Sequence, residues 1–426
     1  MRQLLPLTLL LLPCLATIGQ KDCRSTVYRQ EAMLHTPGLA IKVQEIEGFT
    51  RNFLHRSPVT ITGGQTLNDK TQAIVSIPVV VHIVYNSGAQ NISDAQVQSQ
   101  IDILNADYVK KNADTIAIPP YFSALSADCG FHFALANLDA NGAPTSGIIR
   151  KHTNVPSFGL DDHIKFSASG GDDAWDRDRY LNIWVGNLTA GMMGYSSVPG
   201  GPRETDGIVV LYTAFGSKGA ALAPFNLGRT ATHEIGHWLN MIHVWGDTDC
   251  GDDDVEDTPQ QRAANSGNPS GIRITCSNGP YGDMYMNFMD FTDDIGMHMF
   301  TYGQRDRMRS LFADGGCRHA ILSSNGLSGN PLTTANPPAT LAGGGDSANC
   351  FHFYPNPAVN TVSITMTDAS SVGSVLELYS QTGQKLISMR VTQLSFPLDV
   401  SILPRGIYFV KLNNGRKQSG MKLMKI

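Results

Sequence analysis

The sequence predicts an α/β domain, built from a small twisted sheet and one histidine-bearing helix, followed by a small all-β C-terminal sandwich domain. Three observations carry that prediction. Ile77-Pro78-Val79-Val80-Val81-His82-Ile83-Val84-Tyr85 is a continuous apolar, β-branched run, the pattern of a strand buried on both faces. Further on, His233-Glu234-Ile235-Gly236-His237 repeats histidine at the four-residue step of one helix face. From Phe351 the pattern changes to short alternating segments, after a stretch over 323–348 rich in Ser, Gly, Pro, Asn and Thr.

At 426 residues the chain has room for two or three domains, and with 42% hydrophobic against 16% charged residues it can bury a sizeable core. The formal net charge of −5, with no local Lys/Arg cluster, excludes a nucleic-acid footprint. Residues 1–19 read as a secretory signal: Met1-Arg2 is positive, Leu4 to Ala16 is apolar, and the small residues Thr17 and Gly19 follow. That run is too short to cross a bilayer, Pro13 fits a lipoprotein site at Cys14 poorly, and no other stretch approaches a transmembrane segment. The expectation is a soluble, exported protein. Export permits disulfides among Cys14, Cys23, Cys129, Cys250, Cys276, Cys317 and Cys350. Cys250 and Cys276 bracket one acidic, Gly-rich loop and are the preferred pair.

Residues 20–72 read as a prosegment, with one helix-like patch from Val43 to Leu54 and a polar run from Thr60 to Gln72. Arg51 and Arg56 are its candidate processing points. Cys23 lies beside Lys21 and Arg24, where positive charge favours a thiolate. Such a thiolate is a candidate latency switch, a fourth zinc ligand in place of water; the alternative is an ordinary free or paired cysteine. The globular core, 73–322, opens with the apolar strand, in which His82 reads as a core histidine. Ser93 caps a helix carrying Val97, Ile101, Leu104 and Tyr108 to about Lys111. Phe131 to Leu138, Arg179 to Leu188 and Gly207 to Tyr212 read as further strands. Gly191-Met192-Met193-Gly194-Tyr195-Ser196 reads either as an edge strand able to pair with an extended peptide or as a plain loop.

On a helix, His233 and His237 stand about one turn (~6 Å) apart, the reach at which two imidazoles share one tetrahedral zinc. Glu234 points off that face, where it can hold a metal-bound water as general base. For His243 to reach the same ion the helix must stop and the chain return, and Asn240 is the residue suited to the left-handed break. Seven acids follow within 247–257, a density that repels unless solvated or bridged by a hard cation such as Ca²⁺. Tyr302 to Phe312 reads as a helix and 323–350 as a linker. Within 351–426, strands are expected at Val362–Met366, Val375–Tyr379, Lys385–Val391, Ile407–Leu412 and Met421–Ile426.

These motifs resemble the metzincin zinc endopeptidases, and within them the bacterial, cytophagalysin-like members of the pappalysin family. The resemblance covers about Ile77 to Phe312. It includes Tyr180-Leu181-Asn182-Ile183-Trp184-Val185, His243-Val244-Trp245-Gly246-Asp247, Asp257-Thr258-Pro259, Met286-Asn287-Phe288-Met289-Asp290 and Thr301-Tyr302-Gly303-Gln304. It implies zinc on His233, His237 and His243, Glu234 as general base, and a Met-turn at Met289 beneath the metal. It also implies calcium at the acidic loop, with Asp247, Asp254 and Thr258 as candidate ligands. The sequence departs from the family in four places. Asn240 stands where Gly is usual. Phe291 replaces a Tyr thought to steady the tetrahedral intermediate. Gly296 replaces a second-disulfide cysteine, and Ile295 an acid that selects basic residues. The last domain resembles a type IX C-terminal sorting domain through Tyr354-Pro355-Asn356-Pro357, Thr382-Gly383 and Gly406-Ile407-Tyr408.

The function expected is a secreted zinc endopeptidase acting on protein or peptide substrates, exported by the type IX machinery and then released or attached to the cell surface. The alternatives are a non-catalytic zinc-containing adhesin and another zinc hydrolase such as an amidase.

Overall fold

The computed structural model describes residues 23–56, 74–189, 191–329, 351–354, 358–366, 371–380, 384–413 and 418–425. The predicted signal segment, Cys14, most of the linker with Cys350, Pro355-Asn356-Pro357 and Thr382-Gly383 lie outside the described residues. The chain divides into two units, Met1–Ala335 and Asn336–Ile426.

In the first unit two helices, α1 (Ser25–His35) and α2 (Leu39–Arg56), precede the sheet. The sequence pattern gave only part of α2; α1 has a weak apolar face, burying only Ser25 and Tyr28. Strand β1 (Val75–Tyr85) follows, then α3 (Asp94–Asp107), α4 (Pro120–Ser123), β2 (Phe131–Leu135), β3 (Ile148–His152), β4 (Leu181–Gly186), β5 (Gly194–Ser196), β6 (Ile208–Leu211), α5 (Arg229–Trp238) and α6 (Tyr302–Ser310). The Ser93 hydroxyl caps α3 by accepting from Gln96 N, and Thr301 and Gln304 form a capping box on α6.

The sheet runs β2-β1-β4-β6-β5, with β3 pairing the second half of β1. All pairs are parallel except β5, the antiparallel edge. Parallel strands buried on both faces need apolar residues at successive positions, which is why β1 reads as an unbroken run. On one face Val79, Val81 and Ile83 join α3, α5 and α6 in the main core, each burial contributing roughly 1.5–3 kcal/mol. On the other, Trp184, Tyr195 and Val209 pack with Tyr28, Leu39 and Val43 of the first two helices. His82 is a satisfied core residue, with Nδ1 2.7 Å from Asp172 and Nε2 3.1 Å from the Asn182 side-chain oxygen.

The second unit is an all-β sandwich. One sheet orders β10-β9-β12-β13, over Lys385–Arg390, Val375–Ser380, Gly406–Asn413 and Gln418–Lys425; the other orders β11-β8-β7, over Ser395–Asp399, Thr361–Met366 and Phe351–Tyr354. Val362, Ile364, Phe396 and Leu398 from one sheet share a core with Leu376, Leu378, Val410 and Leu412 from the other. Strand β11 escaped the sequence pattern because Pro397 lies within it, a residue tolerated only at a sheet edge.

Candidate metal centre

The centre is built on α5, all of whose residues are buried. The helix stops in a Schellman arrangement: Met241 N donates to Gly236 O at 2.9 Å and Asn240 N to His237 O at 2.9 Å, with Asn240 at φ 69°. That left-handed residue turns the chain so that His243 comes back to the helix. The Nε2 atom of His237 then lies 3.1 Å from those of both His233 and His243.

Each ring is fixed from behind. His233 Nδ1 donates to Phe288 O at 2.7 Å, and His237 Nδ1 to Met241 O at 2.9 Å. His243 Nδ1 donates to the Asp247 carboxylate, and the His243 ring stacks on Trp245 at 4.2 Å. Because a carbonyl or carboxylate can only accept, every Nδ1 carries the proton and every Nε2 presents a lone pair to one point. Three lone pairs this close repel unless a cation lies between them, so the donor set fits a zinc ion. Burial, and then the neighbouring His243, push His237 well below the ordinary imidazole range and keep it in the neutral, metal-binding form.

Met289 is fully buried under this site. A Cβ on Gly236 would lie 2.4 Å from its sulfur, so the glycine between the two helix histidines is what lets the methionine approach. Glu234 is buried beside the histidines, and Gly194 on β5 makes room for it: a Cβ there would lie 3.1 Å from Glu234 Oε1 and 2.7 Å from Val209 O. Phe291 packs at 4.7 Å from the His243 ring and 4.8 Å from Trp245, an apolar wall without a donor.

The N-terminal segment enters this cleft. Cys23 Sγ lies 3.5 Å from His237 Nε2, and its sulfur and the three histidine nitrogens all lie within 4.8 Å of one another. Cys23 bridges Gly194 in parallel register, and Arg24 N donates to Gly194 O at 3.0 Å, so the free edge of β5 is paired. Ser25 Oγ donates to Glu234 Oε2 at 2.8 Å and accepts from Ser196 N at 2.9 Å. Thr26 Oγ1 lies 3.2 Å from His243 Nδ1. Sequence reasoning singled out Cys23 but not Ser25 or Thr26, whose positions two and three residues after it were the available signal.

The other predicted residues divide. Cys250 and Cys276 form a disulfide, while Cys23, Cys129 and Cys317 are free. The three candidate calcium ligands do not converge. Asp247 serves His243, Thr258 donates to Asp253 at 2.7 Å, and Asp254 is exposed 3.8 Å from Arg51. Among the described residues the cysteine–histidine group is the only set of three or more His, Cys, Asp or Glu placed to share an ion. Asp294 is buried and accepts from Leu227 N at 2.8 Å and Arg229 N at 3.2 Å, anchoring the start of α5, whereas Ile295 is 59% exposed.

Comparison with known proteins fits this geometry. Residues 167–313 match the family model described as pregnancy-associated plasma protein-A, and residues 352–426 match that of the secretion system C-terminal sorting domain. An extracellular metalloprotease of Pyricularia oryzae is 32% identical, over 57% of this chain and 76% of its own. One from Coccidioides posadasii is 31% identical, over 57% and 78%. Among solved structures, Tannerella forsythia mature mirolysin in complex with a cleaved peptide is 45% identical with TM-score 0.59, covering 60% of this chain and 98% of its own. A Tannerella forsythia promirolysin mutant is 39% identical with TM-score 0.65, covering 72% and 99%. The wider match to the pro-form extends beyond the enzyme body and marks the chain as a zymogen. No helix among the described residues is long and apolar enough to cross a membrane. The chain belongs to the pappalysin family of metzincin metalloproteases and is an extracellular endopeptidase exported through a type IX sorting domain.

Proposed function

We propose that this chain is a latent zinc endopeptidase in which His233, His237 and His243 hold the metal, Glu234 is the general base and Cys23 closes the site until the prosegment is removed. The observation that carries the reading is the convergence of three Nε2 lone pairs with the Glu234 carboxylate buried alongside. Zinc, when bound, polarises a carbonyl and acidifies water. Glu234 takes the proton of the attacking water and delivers it to the leaving amine. With Cys23 and Arg24 gone, the edge of β5 is open to pair with an extended substrate backbone. Phe291 offers no hydrogen bond to a developing oxyanion, so another donor would have to serve there or turnover would be lower. In this reading 20–72 is the prosegment, 73–322 the enzyme, 323–350 a linker and 351–426 the sorting domain, recognised by the type IX machinery.

The prosegment silences metal and base together. Cys23 faces the ligand set, and Ser25 occupies Glu234. Calcium belongs to the proposal at the acidic loop, with Asp247, Asp254 and Thr258 as candidate ligands, Asp247 also accepting from His243 through one oxygen.

The test is casein cleavage by processed protein, with and without a zinc chelator, beside Glu234→Ala. Chelator-sensitive cleavage that the Ala variant lacks is expected; chelator-insensitive cleavage, or an active Ala variant, overturns the reading. The four-donor set with Cys23 also suits a closed structural site, as in a zinc-containing adhesin. That rival predicts zinc but no cleavage after the prosegment is gone.

A further inference from the structure

We infer that Arg307 and Asn240 form a carboxylate-binding subsite of the mature enzyme, one that selects substrates with an acidic residue lodged past the C-terminal end of the metal helix. This rests on the reading above, that substrate occupies the cleft the prosegment vacates.

Arg307, on α6, has a side chain only 1% exposed. Its Nε donates to the Asn240 carbonyl at 3.0 Å, which ties the guanidinium to the turn that ends α5. Its Nη2 donates to Glu47 Oε1 at 2.6 Å, and Asn240 Nδ2 donates to that same oxygen at 3.0 Å. One carboxylate oxygen is therefore held by two donors of the enzyme body. The fit is incomplete: Arg307 Nη1 and Glu47 Oε2 are both buried without a hydrogen-bond partner among the described residues.

The two sides of this contact have different fates. Glu47 belongs to α2 in the prosegment, while Arg307 and Asn240 remain with the enzyme. Processing therefore removes the anion and leaves a recessed cation with its amide neighbour in place, and a cation in such a setting strongly favours a new counter-charge. Among the described residues, Asp253, close enough to feel Arg307, accepts instead from Thr258 Oγ1 and Val255 N; Asp254 lines the same recess but is exposed, makes no hydrogen bond to Arg307, and loses its own partner Arg51 together with Glu47.

The seat is also continuous with the metal site. His237, Asn240 and Ile242 line the recess beside the ligands, and Ile242, Asp254 and Arg307 line the next one along. Arg29 of the prosegment lies in both, so the chain that now blocks the metal already threads the path to Arg307. A guanidinium fork beside an amide donor suits a planar carboxylate, and the group seated there is one.

The test measures kcat/KM of the processed enzyme on a position-scanned set of peptides in which Glu is exchanged for Gln one position at a time. At one position N- or C-terminal to the cut, Glu should be preferred about tenfold, mostly through KM. Arg307→Met should bring that Glu-to-Gln ratio to about one, and Arg307→Lys, which keeps charge but loses the fork, should leave it between. Ratios near one at every position in the wild-type enzyme, or a preference that survives Arg307→Met, overturn the proposal. Absence of all cleavage would instead sink the protease reading. Should Arg307→Met fail to fold, Glu47→Gln in the full chain reads the same seat from the other side. Mature enzyme should then appear at least about fivefold sooner, and an unchanged rate counts against the seat.

Discussion

The metal helix and the acidic loop that follows it are both dense in potential ligands, yet only one is gathered. His233, His237 and His243 converge because a helix face, a left-handed stop and three separate acceptors behind the rings leave them no other orientation. The loop carries seven acids over 247–257, and six of them turn to separate partners: Asp247 to His243, Asp249 toward Arg262, Asp252 to Asp254 N, Asp253 to Thr258, Asp254 toward Arg51, and Asp257 to Thr301 and Gly303. The difference teaches that periodic spacing builds a site before its ion arrives. Composition alone leaves the ion to assemble its own.

That comparison can be broken from either side. The largest effect expected is His243→Ala, which removes the proposed third ligand: zinc content and cleavage should both collapse, activity by at least about a hundredfold. Asp247→Asn tests the acceptor behind that ring, and zinc affinity should fall by about 10–100-fold, read by competition with a chelator. Gly236→Ala drives a methyl into the Met289 sulfur, 2.4 Å away. Overpacking there should cost about 1–3 kcal/mol in denaturant unfolding, against the roughly 1 kcal/mol of stabilisation Gly→Ala brings to an open helix.

The loop gives the smaller effects. If calcium assembles it, Tm of the full chain should rise with added calcium, corresponding to about 2.7 kcal/mol at a hundredfold excess over Kd. No rise would strike calcium from the account. Asp254→Asn, at an exposed position, should change stability without calcium by no more than about 0.5 kcal/mol.

Much of this was legible because periodicity carried it. The β1 run, the Ser93 cap, the metal motif, the Asn240 stop and the Cys250–Cys276 pair follow from local pattern or local bracketing. What escaped depends on partners distant in sequence. Helix α1 is held by the cleft it fills, with Ser25 on Glu234 and Tyr28 on Asp162 at 2.6 Å. Asp247 is the local exception: the family resemblance offered it as a calcium candidate, and its carboxylate accepts from His243 only four residues back. The Glu47–Arg307 pair joins residues 260 apart, a distance no local pattern spans. Phe291 is visible in the sequence as a departure, but its packing against the His243 and Trp245 rings is not.

The central claim is that three histidines hold the metal while Glu234 stands off it and moves the proton. Glu234→Gln in the full chain, processed and assayed for zinc and casein cleavage together, tests this most directly. The account predicts wild-type zinc content with cleavage lowered by about 10²–10⁴-fold. Cleavage within twofold of wild type, or zinc lost along with it, would contradict the account.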